Sequence, residues 1–393
     1  MKKTLIEYLP FLIAGFIGCL LIFSAVLNPP DYGDNETINI AIMAPLSGGL
    51  AEYGMDVKVG VDMAVDEINR KGGINGKKVN AIYKNTWGYP DRAASLMEEC
   101  ADEGFPVVIG DITSAGALAC AEVAEERHVV LISQAATTPL LSKYGPYVFR
   151  TISSDVYQGR GMARIFRIFH PEVTNITVLY INNAYGSGLT TAFVSAQEEG
   201  GFRVNQIMPF EEGQRVFTEE IAAIKASETD GIALITHVTE AEYILKEAKA
   251  QGLRVAWVGS DGIVTTELYA HVGSYTEGFI ATMQSSEVHD QAFIREYRVQ
   301  AKDDGTVNWM APYSYDTVMI VAEAIRYGGY SADGIRDGLG KIRYLGVCGP
   351  KVFEESGDTP PAFDVMRIEN GEWTRVSWKE ITETGTSGTG TAH

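Results

Sequence analysis

The feature that most constrains this chain is a repeated alternation of short apolar runs with segments of helical periodicity. Ile38, Ile40 and Ile42 alternate as in a strand, and Val57, Val61, Ala64, Val65 and Ile68 then recur at helical spacing until Lys71-Gly72-Gly73 stops the helix. A strand over 79–84, a helix carrying Ala93, Leu96, Met97 and Cys100, a buried strand at Val107-Val108-Ile109, an Ala-rich helix over 115–126 and a buried strand over 129–133 follow. The same rhythm restarts with a helix at 156–169 and runs through strands at 176–181, 202–208, 231–236, 255–259 and 278–283 with helices between them. Short apolar strands separated by helices mean parallel sheets covered on both faces. One open sheet of so many strands is unusual, so the pattern predicts two doubly wound α/β lobes. Helices return over 291–302, 313–327 and 333–342. Asn370-Gly371, between the alternating segments 363–368 and 373–378, predicts a closing hairpin.

In open parallel sheets ligands bind beyond the carboxyl ends of the strands, so the loops there carry the candidate chemistry. After the 107–109 strand, Asp111-Ile112-Thr113-Ser114 runs into a helix whose free N–H groups, with the Ser114 hydroxyl, can hold a small anion. Ser114 can equally serve only as the helix cap. After the 129–133 strand, Ala135 offers a carbonyl and Thr137 a hydroxyl, in what can also be an ordinary Thr-Pro turn. Asp261, after the 255–259 strand, can pair with a cation or simply sit in a solvated turn. Enzyme signatures are weak. The chain has six His, no HExxH, no Gly-x-Ser-x-Gly and no P-loop, and Gly186-Ser187-Gly188 lacks the full dinucleotide pattern. Its four Cys are scattered with no CxxC. No cofactor and no metal are expected.

Charge and the N-terminus bear on location. Lys plus Arg number 32 against 51 Asp plus Glu, a net charge of −19, which argues against nucleic acid as a partner. The 393-residue chain opens with Lys2 and Lys3 before an uncharged apolar run from Leu9 to Leu27, about 19 residues and long enough to span a bilayer. The positive-inside rule sends everything after it out of the cytoplasm. The run reads as an uncleaved anchor, a cleaved signal peptide, or a lipidation site at Cys19. A Pro/Gly-containing linker over 28–35 follows, and the Gly/Ser/Thr-rich residues 380–393 form a flexible tail.

Five stretches in order give a more specific reading: Ile42-Met43-Ala44-Pro45-Leu46-Ser47-Gly48, Asn69-Arg70-Lys71-Gly72-Gly73-Ile74-Asn75-Gly76, Ile132-Ser133-Gln134-Ala135-Ala136-Thr137-Thr138-Pro139, Asn183-Ala184-Tyr185-Gly186 and Val258-Gly259-Ser260-Asp261-Gly262. From about Thr37 to Trp378 the chain resembles the ABC-transporter substrate-binding proteins for branched-chain amino acids, the Leu/Ile/Val-binding type. The resemblance implies the type I periplasmic-binding fold: two doubly wound lobes joined by three hinge crossings, with the ligand between them. It places one lobe at 37–155 and 285–345 and the other at 156–284 and 346–379, after a signal or anchor segment and linker over 1–36.

Carried onto this sequence, the resemblance implies that Ser114 and Thr137 hold an amino acid's carboxylate. Ala135, Thr137 and Asp261 would hold its ammonium, and Tyr53, Tyr185 and Ala136 would line it. Asp111 would face the ligand side chain, and His237 would either touch the ligand or end a strand. The family's small-loop disulfide has no counterpart here. Cys100 and Cys120, on consecutive helices, are candidates for a bridge, and Cys348 is expected unpaired. The implied function is capture of a branched-chain or other small amino acid outside the cytoplasm by a monomer that passes it to ABC permease subunits. The alternatives are a receptor for urea, short amides or aromatic acids, or a sensor acting with a separate signalling subunit.

Overall fold

The structure is a computed structural model that describes residues 37–285, 290–301 and 309–377. The expected membrane segment at Leu9–Leu27, with Cys19, and the tail over 380–393 lie outside the described residues. Among the described residues no helix is long and apolar enough to cross a membrane.

The first lobe is built from β1 (Thr37–Ala44), α1 (Ala51–Arg70), β2 (Lys78–Asn85), α2 (Pro90–Asp102), β3 (Val107–Ile109), α3 (Ser114–Arg127), β4 (Val130–Ser133) and β5 (Val148–Arg150). Its five strands pair in parallel in the order β2-β1-β3-β4-β5. Alternation along β1 explains why a layer of helices covers each face. Ile38, Ile40, Ile42 and Ala44 enter one core, and Ala41 and Met43 enter the core on the other side.

The second lobe takes α4 (Asp155–Phe169), β6 (Asn175–Ile181), α5 (Ala184–Ser195), α6 (Gln197–Gly200), β7 (Arg203–Phe210), α7 (Thr218–Ala226), β8 (Gly231–Ile235), α8 (Val238–Ala250), β9 (Ala256–Gly259), α9 (Thr266–Val272) and β10 (Ile280–Gln284). The chain then returns to the first lobe as α10 (Gln291–Ala301), α11 (Met310–Gly328), α12 (Ala332–Leu339) and the small hairpin β11 (Tyr344–Gly346) and β12 (Gly349–Lys351). It ends in the second lobe as the antiparallel pair β13 (Phe363–Glu369) and β14 (Glu372–Arg375). The second sheet runs β14-β13-β10-β9-β8-β6-β7. Helix α11 lies so close to α1 that a Cβ on Gly60 would stand 2.0 Å from the Ala311 carbonyl oxygen, so glycine is what permits this packing.

The three crossings lie side by side. The Ser285 N–H donates to the Ala362 carbonyl at 2.9 Å, and the Ala362 N–H donates to Ser153 Oγ at 2.9 Å. The last crossing comes later than the 345/346 boundary expected from the sequence. Cys348 and Phe353 pack in the first lobe's core, and the Arg150 N–H donates to the Gly357 carbonyl at 2.9 Å. Packing of Cys348 and Phe353 and the Arg150–Gly357 bond hold this segment against the first lobe.

Of the two readings left open for Cys100 and Cys120, a bridge or two buried thiols, the structure has the second. Both are free thiols, as is Cys348. Cys100 and Cys120 sit in the apolar layer of α2 and α3 with Ala93, Met97 and Ala121. Burial pushes the Cys100 thiol up to about 11 and the Cys120 thiol well above its usual range, which disfavours the thiolate that disulfide exchange requires.

Candidate functional site

The carboxyl ends of both sheets face one cleft of about 910 Å³, its open mouth included. On the first lobe, β3 ends in a loop that enters α3. Thr113 is the helix cap, its Oγ1 accepting from the Gly116 N–H at 3.0 Å. Ser114 is therefore not needed as the cap, and its buried side chain lines the cleft beside the first N–H groups of the helix. The loop after β4 is tied down from beneath. Ser133 Oγ donates to the Asp111 carbonyl at 2.9 Å and accepts from the Ala136 N–H at 3.0 Å. The buried Arg150 guanidinium donates to the carbonyls of Thr137 (3.0 Å) and Thr138 (2.7 Å) and pairs with Asp358 at 2.7 Å. These bonds hold Ala135 and Thr137 at the cleft wall.

On the second lobe, Asp261 opens a single 3-10 turn directly after β9. Its Oδ1 accepts from Tyr185 Oη at 2.7 Å and Gln158 Nε2 at 2.9 Å, and its Oδ2 accepts from Gln284 Nε2 at 3.4 Å. Gln158 also donates to Thr282 Oγ1 at 3.0 Å. A second acid lies behind: Asp155, the first residue of α4, is fully buried and accepts from Thr137 Oγ1 at 3.0 Å, while its Oδ1 has no partner. Burial, then the charge of Asp261, raise the Asp155 carboxyl well above the usual range. Burial likewise holds the Tyr185 phenol protonated. The Tyr185 ring stacks on His237, with centroids 5.3 Å apart and planes 14° off parallel. His237 makes no capping bond at the start of α8 and lines the cleft.

Seven of the nine residues singled out from the sequence thus meet in one cleft: Tyr53, Ser114, Ala135, Thr137, Tyr185, His237 and Asp261. Ala136 and Asp111 do not line it. Ala136 is buried and serves through its N–H. Asp111 is turned inward, against the expectation that it faces a ligand side chain: it accepts from the Ile112 N–H at 2.6 Å and Thr113 Oγ1 at 3.2 Å. Burial pushes its pKa up to about 6. Sequence reasoning missed Asp155 and Gln158, which come from a crossing and a helix start rather than a strand end. It also missed the apolar wall from Leu50, Ile112, Trp309 and Met310, and the polar contributions of Asn183, Glu212 and Thr265. Among the described residues no Lys or Arg lines the cleft. Among the described residues no group of three or more His, Cys, Asp or Glu is placed to hold a metal.

A cleft with hydroxyl and N–H donors on one lobe and carboxylates on the other is suited to a small dipolar molecule. Residues 37–372 match the periplasmic binding protein family. The chain belongs to that family. It is 25% identical over 355 residues to the leucine-, isoleucine-, valine-, threonine- and alanine-binding protein of Pseudomonas aeruginosa, a match covering 89% of this chain and 92% of that one. It is 28% identical over 249 residues to the Leu/Ile/Val-binding protein of Escherichia coli, covering 63% of this chain and 67% of that one. Among solved structures, the branched-chain amino acid transporter substrate-binding protein LivJ of Streptococcus pneumoniae, in complex with isoleucine, superposes with a TM-score of 0.76 at 26% identity, covering 86% of this chain and all of that one. A benzoate-bound solute-binding protein from R. palustris, 17% identical with a TM-score of 0.76 over 87% of this chain and 96% of that one, shares the fold. The architecture is the type I periplasmic-binding fold.

Proposed function

We propose that this periplasmic binding protein captures an α-amino acid outside the cytoplasm and delivers it to an ABC permease. One observation carries the reading: the Asp261 carboxylate on the second lobe lines the same cleft as the Ser114 hydroxyl and the start of α3 on the first. Two acids, Glu212 and Asp261, line the cleft with no Lys or Arg among the described lining residues, which favours a cation there, and an ammonium supplies it. The ligand's carboxylate would sit on Ser114 and the N–H groups of α3, and its ammonium on Asp261, Thr137 Oγ1 and the Ala135 carbonyl. A ligand held head and tail by opposite lobes favours the state in which the lobes meet, and the permease would read that state. The relatives' names support an amino acid over urea or an aromatic acid, and the similarity to the benzoate-bound protein is one of fold.

Calorimetric titration of the purified protein against the proteinogenic amino acids tests this. At least one binds, and Asp261→Ala weakens it at least tenfold, a loss in keeping with breaking a buried charged pair. If no amino acid binds, and Asp261→Ala alters the affinity for no ligand, the reading is wrong.

A further inference from the structure

We propose that the cleft selects an amino acid whose side chain ends in a nitrogen hydrogen-bond donor, and that Tyr53 on the first lobe and Thr265 on the second read that group. This rests on the amino-acid reading above and deepens it. The head-group elements leave two polar atoms unexplained. Tyr53 Oη and Thr265 Oγ1 are both sequestered without a hydrogen-bond partner, and both residues line the cleft. A hydroxyl sealed without a partner is unfavourable. An aliphatic ligand side chain seals both hydroxyls permanently, whereas a ligand that brings a hydrogen-bonding group satisfies them.

The charge around these atoms decides which kind of group. Glu212 and Asp261 line the cleft, and among the described residues no Lys or Arg does. Glu52, Glu240, Glu267 and Asp261 all act on the Tyr53 phenol in the direction that keeps it protonated, so this end of the cleft is electrically negative. Glu212 already accepts one N–H donor, from Asn183 Nδ2 at 3.1 Å, and a carboxylate oxygen has room for more. A negative field with free acceptor lone pairs repels a carboxylate side chain and attracts an N–H, from an amide or a cationic group alike. Leu50, Ile112, Trp309 and Met310 supply an apolar wall for the methylene stem of such a side chain.

The test is titration of the purified full chain with glutamine, asparagine, lysine, arginine, leucine, isoleucine, valine and glutamate, followed by the same series on Tyr53→Phe and Thr265→Val. At least one of the four donor-bearing amino acids should bind ten times more tightly than any of the three aliphatic ones, and glutamate should not compete. The amide and cationic arms identify which donor is used. Tyr53→Phe should weaken the preferred ligand about tenfold and leave leucine within twofold. Thr265→Val gives the same contrast from the other lobe if Tyr53→Phe folds poorly. Leucine, isoleucine or valine binding as tightly as every donor-bearing amino acid would overturn the inference while leaving amino-acid capture intact. So would equal losses for leucine and the preferred ligand in both variants. Absence of binding by any amino acid would overturn the amino-acid reading itself, and this inference with it.

Discussion

Asp111 shows how a single side chain can serve the site without touching a ligand. It is fully buried beneath the loop that carries Ser114, with the Ile112 N–H and the Thr113 hydroxyl as its donors. Cys120, the titratable neighbour in contact with its backbone, ionises far higher. An unfolded Asp titrates near 3.9, whereas burial pushes this one up to about 6. Between those values the folded chain holds a proton that the unfolded chain has released. Asp111 therefore favours folding at low pH, and that contribution is lost as pH rises through about 6. The difference corresponds to on the order of 3 kcal/mol. Asp111→Asn removes the titration but keeps the shape. Urea unfolding of both proteins at pH 4, 5, 6 and 7 should show the wild type losing about that much stability relative to the variant on going from pH 4 to pH 7. Parallel stability curves would show that Asp111 stays ionised in its pocket.

At the scale of elements, α5 of the second lobe comes close to the Thr138-Pro139 turn of the first. A Cβ on Gly188 would come 3.0 Å from Pro139 Cδ and 3.2 Å from Thr138 Oγ1. Gly188→Val places a branched side chain there. Within the second lobe the change is tolerable, because glycine is the poorer helix former. Between the lobes it acts as a wedge costing about 1–3 kcal/mol. Ligand affinity should fall about tenfold or more while the melting temperature of the ligand-free protein stays within roughly 3 °C, read by titration and by thermal unfolding. An unchanged affinity would mean that the lobes need not come this close to bind. The elements of each lobe were legible in the sequence because strands buried on both faces leave unbroken apolar runs, as in Val107-Val108-Ile109 and Ile232-Ala233-Leu234. β5 was not legible: three residues, Val148 to Arg150, show no period, and Arg150 is a buried charge that reads as surface until Asp358 is seen beside it. Ser114, Thr137 and Asp261 were legible because strand ends in parallel sheets point at the cleft. Asp155 was not, since an acid in the first turn of a helix has a sufficient local reason to be there. For Asp111 the position was right and the direction wrong, because a strand-end position does not fix where a side chain turns.

For the whole molecule, the crossings at Ser153, Ser285 and Ala362 lie together on one side of the cleft, so motion between the lobes would be felt most at the opposite mouth. Glu52, on α1 of the first lobe, and Glu267, on α9 of the second, are near enough for the charge of one to act on the other. Burial, then the charge and hydrogen bond of Glu267, raise the Glu52 carboxyl above its ordinary range. The other groups that bear on the adjacent Tyr53 phenol are also acids, Glu240 and Asp261, and add to the negative charge there. Two ionised carboxylates push the lobes apart, while one shared proton turns the same pair into a hydrogen bond. With the lobes separated, Glu52 returns to its usual pKa. The closed form thus binds the proton more tightly, and closure strengthens as pH falls toward the raised value and weakens above it. Glu52→Gln keeps a donor at the mouth and removes the charge. Small-angle scattering of the ligand-free protein between pH 7 and 5 should show the wild type contracting as pH falls, and Glu52→Gln already contracted at pH 7 with little further change. A wild type that does not contract, or a variant that follows the wild-type curve, would remove Glu52 and Glu267 from the control of closure.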